Sequence, residues 1–374
     1  MVRFLHTADW QLGMTRSYLG SEAQSRFRQA RVDVIRRIAG LAVQERCAFV
    51  LVCGDVFESN QVEREIVVRA LEAMGETPQI TFYLLPGNHD PLDAVSVYRS
   101  PTFSQNAPSN VVVLERPDPL KTAPGVEVIA APWRSKDPRA DLVNAACDRP
   151  GSANVIRIVA GHGQLDSFFP GRHDPGHVSL PGLEEKIEAG SVHYVALGDR
   201  HSRTEAGRTG RVWYSGAPEP TAFREVDPGK VLVVSLGADW IEVVERSVGQ
   251  WRFLDKEWEL IGDADIDALD GWLSDLRPKE RTIIRMSLDG RISLRQKARL
   301  DVLLRDHAAP LAALEVDDRD LVASPDETDI EEFGFSGFAR KALADLRELA
   351  DEGEEAPVAR DALVLLRRLI GESR

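Results

Sequence analysis

The sequence predicts an α/β protein: a two-sheet sandwich flanked by helices, then a small α+β domain and a C-terminal helical hairpin. Three observations lead there. Through the first 248 residues, short β-branched apolar runs alternate with amphipathic helical stretches. Five of those runs lead through a Gly or a turn into an Asp, Asn or His, as expected where layered sheets collect polar groups beyond strand ends. After residue 248 that pattern stops, and a shorter strand and helix alternation ends in two amphipathic helices.

Taken in order, Val2 to Leu5 leads to Asp9, Phe49 to Cys53 leads to Gly54 and Asp55, and Ile80 to Leu85 leads to Pro86, Gly87, Asn88 and His89. Later, Val155 to Val159 leads to Gly161 and His162, and Val192 to Leu197 leads to Gly198, Asp199 and His201. Continuous apolar runs of this kind suit strands buried on both faces. Between them, Gln24 to Arg46 carries Phe27, Val34, Ile35, Ile38, Leu41 and Ala42 at helical spacing, and Val62 to Met74 carries Ile66, Ala70 and Leu71. Further strands are expected at Val111 to Leu114, Val126 to Ala130, Val212 to Ser215, Val231 to Leu236 and Trp240 to Val244. Short Pro and Gly connections among several of these point to antiparallel pairing, hence two sheets rather than one doubly wound sheet. Beyond them, strands at Arg252 to Leu260, Thr282 to Leu288 and Leu314 to Val316 alternate with helices at Asp265 to Leu276 and Leu294 to His307. Asp326 to Glu332 reads as an acidic linker, and Phe338 to Ala350 and Val358 to Ile370 as a hairpin around the loop DEGEEAP. The resulting domains are 1–248, 249–325 and 326–374.

Composition narrows the function. The chain has 374 residues, room for a large core with appendages. A net charge of −14 opposes a protein that coats nucleic acid non-specifically, because such binding neutralises phosphates with Lys and Arg. It leaves room for a nuclease, since bound cations offset carboxylate charge. No apolar run reaches the roughly 20 residues of a membrane span, and no secretory signal is visible, so a cytoplasmic location is the default. Cys47, Cys53 and Cys147 show neither CxxC spacing nor a nearby His and read as small buried hydrophobes.

A lone GD or GH after a strand marks a turn more often than a ligand; the ordered set is what carries weight. Asp9, Gly54-Asp55, Gly87-Asn88-His89-Asp90, Gly161-His162 and Gly198-Asp199-Arg200-His201 together offer the mixed oxygen and nitrogen donors that hold divalent cations. Two such cations roughly 3.5 to 4 Å apart can activate a shared water for attack on a phosphodiester. This set, with the segments HTADWQLG, GDVFE, PGNHD and YSGAPEPTAF, resembles the calcineurin-like metallophosphoesterases, and within them the SbcD-like nucleases. The resemblance implies a metallophosphoesterase sandwich in which Asp55 bridges two metals. Asp9, His201 and position 11 would complete the first, and Asn88, His162 and position 199 the second. It makes His89 a catalytic group that neutralises the phosphoryl charge or protonates the leaving oxygen. Mn²⁺ fits these ligands best, with Mg²⁺, Fe²⁺ or Zn²⁺ as alternatives.

Two positions depart from the family pattern. Asp-x-His is here Asp9-Trp10-Gln11, and Gly-His-x-His is Gly198-Asp199-Arg200-His201. Gln11 brings only a neutral carbonyl oxygen, which weakens the first site, while Asp199 brings an anionic oxygen that keeps the second site and favours harder cations. The resulting expectation is an active enzyme that needs abundant metal; the alternative is that catalysis has been lost. His6 reads as structural, His173 and His177 as loop histidines, His193 as a strand residue and His307 as lying near a helix end. Arg134, Lys136 and Arg139 follow the Trp133 turn, and Arg200, Arg203, Arg208 and Arg211 follow the last ligand loop. Of these, Arg134, Arg200 and Arg203 are candidates for DNA phosphate contacts, with a solvated surface loop as the alternative for each.

The resemblance further makes 249–325 a cap that shapes DNA access. It makes 326–374 a linker and hairpin docking on an SbcC-like coiled-coil ATPase, with a homodimer as the assembly. The function so implied is a divalent-metal-dependent DNA exonuclease or endonuclease in repair. Two alternatives stand beside it: a phosphodiesterase for nucleotides or other small phosphoesters, and a catalytically weak subunit that tethers the ATPase.

Overall fold

Alternation along the central strands decides the layers. In β1 (Val2–Thr7) Phe4 and Leu5 are both fully buried but point to opposite faces, Phe4 toward a second sheet and Leu5 toward helices. β2 (Phe49–Cys53) and β3 (Thr81–Leu85) repeat the pattern: Phe49, Leu51 and Leu85 face the second sheet, while Val50, Val52, Phe82 and Leu84 face the helices. The computed structural model describes residues 1–150, 152, 154–171, 174, 176–324, 338–351 and 356–372. The chain divides into two units, one formed by 1–17 and 24–251 and the other by 18–23 and 252–374.

The first unit holds two six-stranded mixed sheets. In the first, β1, β2, β3 and β4 (Val111–Val113) run parallel, and β11 (Lys230–Leu236) and β12 (Ile241–Ser247) continue antiparallel beyond β1. In the second, β6 (Val126–Ala130), β7 (Ile156–His162), β8 (Tyr194–Gly198) and β10 (Val212–Tyr214) run parallel. β5 (Leu120–Ala123) and β9 (Thr204–Ala206) are antiparallel edges. Phe4 of one sheet meets Tyr194 of the other edge-on, ring centroids 5.6 Å apart, and stacks on Phe49 at 5.2 Å. Truncating Phe4 to Ala would remove about 3 to 5 kcal/mol from this seam. Helices α1 (Ser21–Gln44) and α2 (Arg64–Gly75) cover the outer face of the first sheet through Ile35, Ile38, Ile66 and Leu71. A short helix α3 (Pro101–Asn106) precedes β4, and α4 (Leu142–Cys147) and α5 (Leu180–Glu188) cover the second sheet.

The two-sheet sandwich matches the expectation; its pairing pattern differs in part. Antiparallel pairing is expected among several of the additional strands; β11 and β12 do pair that way, whereas β4, β6 and β10 pair parallel with β3, β7 and β8. β5 and β9 are antiparallel as well, and their short, partly exposed sequences carry no strand signal. His162 and Gly198 end their strands rather than lying in the loops beyond. His193 precedes β8 instead of lying in it, and its ring accepts from the Arg157 amide at 3.1 Å.

In the second unit, β13 (Arg252–Leu260), β14 (Thr282–Ser293) and β15 (Ala313–Ser324) form a parallel sheet. α6 (Asp263–Asp275) and α7 (Leu294–Ala308) connect the strands, and Ile266, Leu269, Leu273 and Leu300 pack with Ile284 and Met286. Ser293 and Gln296 form a capping box that starts α7. Two further helices, α8 (Phe338–Asp351) and α9 (Ala356–Glu372), bury Leu343, Ala350, Ala359 and Leu363 with Leu294 and Ala323 of the same unit. Leu349, Val358 and Leu365 stay exposed, so only part of the apolar stripe is covered. The acidic linker 326–332, His173 and most of the DEGEEAP loop lie outside the described residues. Among the described residues no helix is long and apolar enough to cross a membrane, and all three cysteines are buried thiols.

Candidate metal centre

Parallel strands place their C-terminal ends along one edge, so the loops after β1, β2 and β3 meet. They continue the sheet as irregular backbone. Asp9 N–H donates to the Gly54 carbonyl (3.0 Å), Gln11 N–H to Asp55 (2.9 Å) and Leu12 N–H to Val56 (2.9 Å). The second sheet is tied in by polar contacts. Asp199 N–H donates to Asp9 Oδ1 (3.0 Å), and His162 Nδ1–H donates to the Cys53 carbonyl (2.9 Å). That bond leaves His162 Nε2 facing the cluster. Gly54 makes the approach possible: its φ is +93°, and a Cβ there would lie 2.1 Å from His162 Nδ1. At Gly198 a Cβ would lie 1.9 Å from the Cys53 carbonyl oxygen.

Asp9, Asp55 and His162 are buried and offer ligand atoms all within 4.8 Å of one another. Around His162 Nε2 lie Asn88 Oδ1 at 2.7 Å, Asp55 Oδ1 at 3.5 Å and Asp199 Oδ1 at 3.8 Å. His201 Nε2 is 3.3 Å from Gln11 Nε2. All seven residues singled out as ligands, Asp9, Gln11, Asp55, Asn88, His162, Asp199 and His201, thus fall in one connected network. Burial pushes the Asp9 carboxyl up to about 7, against the pull of His201 and His162. Burial works against the Asp55 carboxylate too, but His162 and His89 overcome it and hold Asp55 below its ordinary value. His162 is likewise desolvated, yet Asp55, Asp199 and Asp9 raise it well above the usual imidazole. The same concentration of acidic groups that raises the imidazole would favour a bound cation.

The residues fit a divalent cation on a second ground. Gln11 Oε1 is buried and accepts no hydrogen bond, an oxygen in need of a partner where the carboxylates gather. Mixed carboxylate, amide and imidazole donors suit a hard or borderline ion.

His89 lies at the rim. Its N–H donates to Asp55 Oδ1 (2.9 Å), its Nδ1–H to the Glu58 carbonyl (2.9 Å), and its Nε2 sits 4.0 Å from Asp55 Oδ2. Beside the cluster, a cavity of about 340 Å³ is lined by Asp199, Arg200, His201, Arg224 and Phe169, among others. Arg200 lies over the Phe168 ring at 4.5 Å and donates to Thr204. Arg203 is engaged elsewhere, paired with Glu245 at 2.9 Å, and Arg134 donates to the Glu115 carbonyl from an exposed loop. His6 is buried between Tyr194 Oη (3.0 Å) and the Leu197 carbonyl (3.2 Å), and His307 pairs with Asp270 at 2.6 Å.

Several contacts that hold the site were not foreseen. Asp90 accepts from Phe57 N–H, Gly87 N–H and Tyr98 Oη–H and so braces the Asn88-His89 turn. Trp133 Nε1–H donates to the His162 carbonyl (2.8 Å). Glu225 and Thr221 both meet His201 Nδ1. The only sequence signal for the last pair is their place in or just after YSGAPEPTAF.

Comparison with known proteins identifies the family. The profile of the calcineurin-like phosphoesterase family matches residues 2–203. The SbcD subunit of the nuclease SbcCD from Rhodobacter capsulatus is 27% identical over 269 residues, 60% of this chain and 64% of that protein. The chain therefore spans less than two thirds of that relative. Among solved structures, TT1561 of Thermus thermophilus is 9% identical with a TM-score of 0.40, covering 66% of this chain and 99% of its own. A dimetal phosphatase from Danio rerio is 12% identical with a TM-score of 0.41, covering 66% of this chain and 96% of its own.

Proposed function

The chain belongs to the calcineurin-like phosphoesterase family, and from that premise we propose that it is a DNA nuclease using two divalent metals, Mn²⁺ first among them, in DNA repair with an SbcC-like ATPase. The observation that carries this reading is the convergence of Asp9, Asp55 and His162 from three separate strand ends within 4.8 Å. The 27% identity to a protein named as part of the nuclease SbcCD directs it toward DNA.

In this reading Asp55 would serve both metals. Asp9, Gln11 and His201 would help hold one; Asn88, His162 and Asp199 would help hold the other. Bound there, the metals supply a water of lowered pKa and positive charge for the phosphoryl oxygens. The chain supplies the rest. His89, fixed through Nδ1 on the Glu58 carbonyl, presents Nε2 at the rim to donate to a phosphoryl or leaving oxygen. Arg200, with Arg224 across the same cavity, contacts the neighbouring phosphates. Residues 249–325 act as a cap, and the exposed Leu349, Val358 and Leu365 of the hairpin meet the ATPase.

The test is a nuclease assay on linear and hairpin DNA with Mn²⁺, Mg²⁺ or chelator, run beside Asp55→Ala and His89→Ala. Expected are metal-dependent cleavage, its abolition by Asp55→Ala and a loss of roughly 10² to 10⁴ in rate for His89→Ala. A second reading, hydrolysis of small phosphodiesters, is favoured by the small-ligand size of the cavity beside the cluster. Turnover of bis-p-nitrophenyl phosphate with none of DNA would select it.

A further inference from the structure

His201 would face a metal through Nε2, and what decides that orientation is its other nitrogen. Nδ1 lies 2.8 Å from Glu225 Oε1 and 2.6 Å from Thr221 Oγ1. The Glu225 side chain is only 3% exposed. Its second oxygen, Oε2, accepts from the Thr221 amide at 2.8 Å, and the Thr221 hydroxyl donates to Oε1. The carboxylate thus spends both oxygens on holding one ring and the turn that carries its neighbour.

The turn itself is pinned. The fully buried Arg31 donates to the Pro220 carbonyl (2.7 Å) and to the carbonyl of Trp10 (3.0 Å), the residue between Asp9 and Gln11. Arg16 Nε donates to the Thr221 carbonyl at 3.1 Å. Glu219 accepts from the Gln250 and Trp251 amides and from Arg37. Such anchoring rules out a chance contact between Glu225 and His201. It also couples the segment to the loop that carries Asp9 and Gln11.

We propose that Glu225, with Thr221, is a positioning residue for the first metal. It fixes the His201 tautomer with Nε2 directed at the cluster, strengthens that nitrogen as a donor, and so compensates for the weak neutral oxygen that Gln11 offers. A carboxylate behind a ligating imidazole fixes the ring and raises its basicity; losing such a partner lowers metal affinity about 10- to 100-fold. The inference rests on the two-metal reading above. It adds a dependence between positions 225 and 11 that the reading does not require. Asp55, Asn88 and His162 have no contact with Glu225 in this network, so the second site should not feel its loss.

The experiment is calorimetric titration of the full chain with Mn²⁺ alone, for the wild type, Glu225→Gln, Glu225→Asp, Thr221→Val, Gln11→His and the pair Gln11→His with Glu225→Gln. Expected for Glu225→Gln is a 10- to 100-fold weakening of one of two binding events, with the other unchanged within about twofold. Glu225→Asp, which keeps the charge, restores part of the loss. Thr221→Val weakens the same event less. Gln11→His recovers affinity in the Glu225→Gln background by a larger factor than it gains in the wild type. Thermal melting of each metal-free variant is recorded alongside. Two intact binding events in both Glu225→Gln and Thr221→Val would overturn the inference and leave the metal centre standing. Equal loss of both events, together with a lowered metal-free melting temperature, would make Glu225 merely structural. A wild type that binds no Mn²⁺ would overturn this inference and the two-metal reading together.

Discussion

Gly54→Ala tests whether backbone geometry, rather than the ligands alone, builds the centre. Gly54 sits at φ +93°, where a residue with a Cβ is strained by roughly 1 to 3 kcal/mol. The new Cβ would lie 2.1 Å from His162 Nδ1, more than an ångström inside ordinary contact. His162 cannot retreat cheaply. It is buried, Trp133 packs edge-on against it at 5.7 Å, and the same Trp holds its carbonyl. Moving the ring breaks its 2.9 Å bond to the Cys53 carbonyl, leaving a buried acceptor unpaired at about 1 to 3 kcal/mol. Together these give a loss of about 2 to 6 kcal/mol, a large share of the 5 to 15 kcal/mol typical of a native protein. At roughly 2 to 4 °C per kcal/mol, the melting temperature should fall by about 5 to 20 °C. Mn²⁺ affinity should fall about 10- to 100-fold as the ring loses its orientation. Gly40→Ala is the control: Gly40 is exposed within α1, a Cβ there meets nothing within 4 Å, and Ala should stabilise by about 0.5 to 1 kcal/mol. Calorimetric melting and Mn²⁺ titration of both variants read these effects. A Gly54→Ala protein with wild-type melting and wild-type Mn²⁺ affinity would refute the argument that this close approach shapes the site.

Two further outcomes follow from particular side chains. Burial lowers His6 from its ordinary 6.5 to about 3, so the folded state keeps it neutral while the unfolded chain takes up the proton first. Stability is therefore lost as pH falls below 6.5 toward 3, at up to about 1.4 kcal/mol per pH unit, or about 2 kcal/mol by pH 5. Urea midpoints at pH 7 and pH 5 should show that loss in the wild type and a smaller one in His6→Gln; equal slopes would remove His6 as a source. Arg200 lines the cavity beside Asp199 and His201, whereas Arg203 already pairs with Glu245. Arg200→Ala should weaken DNA binding and reduce the salt slope by about one, with Arg203→Ala having the lesser effect; the reverse order in a salt titration would contradict the geometry.

What could be read from the sequence follows from how each element is buried. β1, β2, β3, β7 and β8 are covered on both faces, so each appears as a mostly apolar run, despite Arg3 in β1 and Arg157 in β7, and the group after it marks the strand end. β5 and β9 are short edges with partly exposed residues, and nothing in LKTA or TEA announces a strand. β9, which the sequence does not announce, pairs antiparallel with β10, and β10 in turn runs parallel to β8. β14 and β15 each run 12 residues, beyond the expected stretches, because their distal halves carry Asp, Arg and Gly among the apolar positions. The candidate ligand loops were legible because Asp, Asn and His each followed an apolar run. Glu225, Asp90 and Trp133 act through other residues, and no spacing in the chain links a carboxylate at 225 to an imidazole at 201.

Backbone conformation bears on whether Gln11 is a participant or a relic. Among the described residues, seven other than Gly have positive φ, and four of them are Asp9 (55°), Gln11 (45°), Asp55 (53°) and Asp199 (90°), all within the proposed ligand set. Asp visits this region at low penalty because its short polar side chain bonds locally, but Gln has no such relief. A position that had lost its role would be free to accept Gly or to relax. Gln11 instead stays left-handed, held by its N–H on the Asp55 carbonyl, with Nε2 directed at His201 and Oε1 buried without a partner. Strain combined with an unmet acceptor is what a ligand position looks like when the fold is set for an ion. Gln11→Gly separates the two accounts. It removes about 1 to 2 kcal/mol of backbone strain and the orphaned oxygen together. If Gln11 is a ligand, the variant melts higher than the wild type without metal, binds Mn²⁺ more weakly at one site and loses that advantage as Mn²⁺ is raised. A relic would gain the same stability at every Mn²⁺ concentration, and that result would remove position 11 from the metal centre.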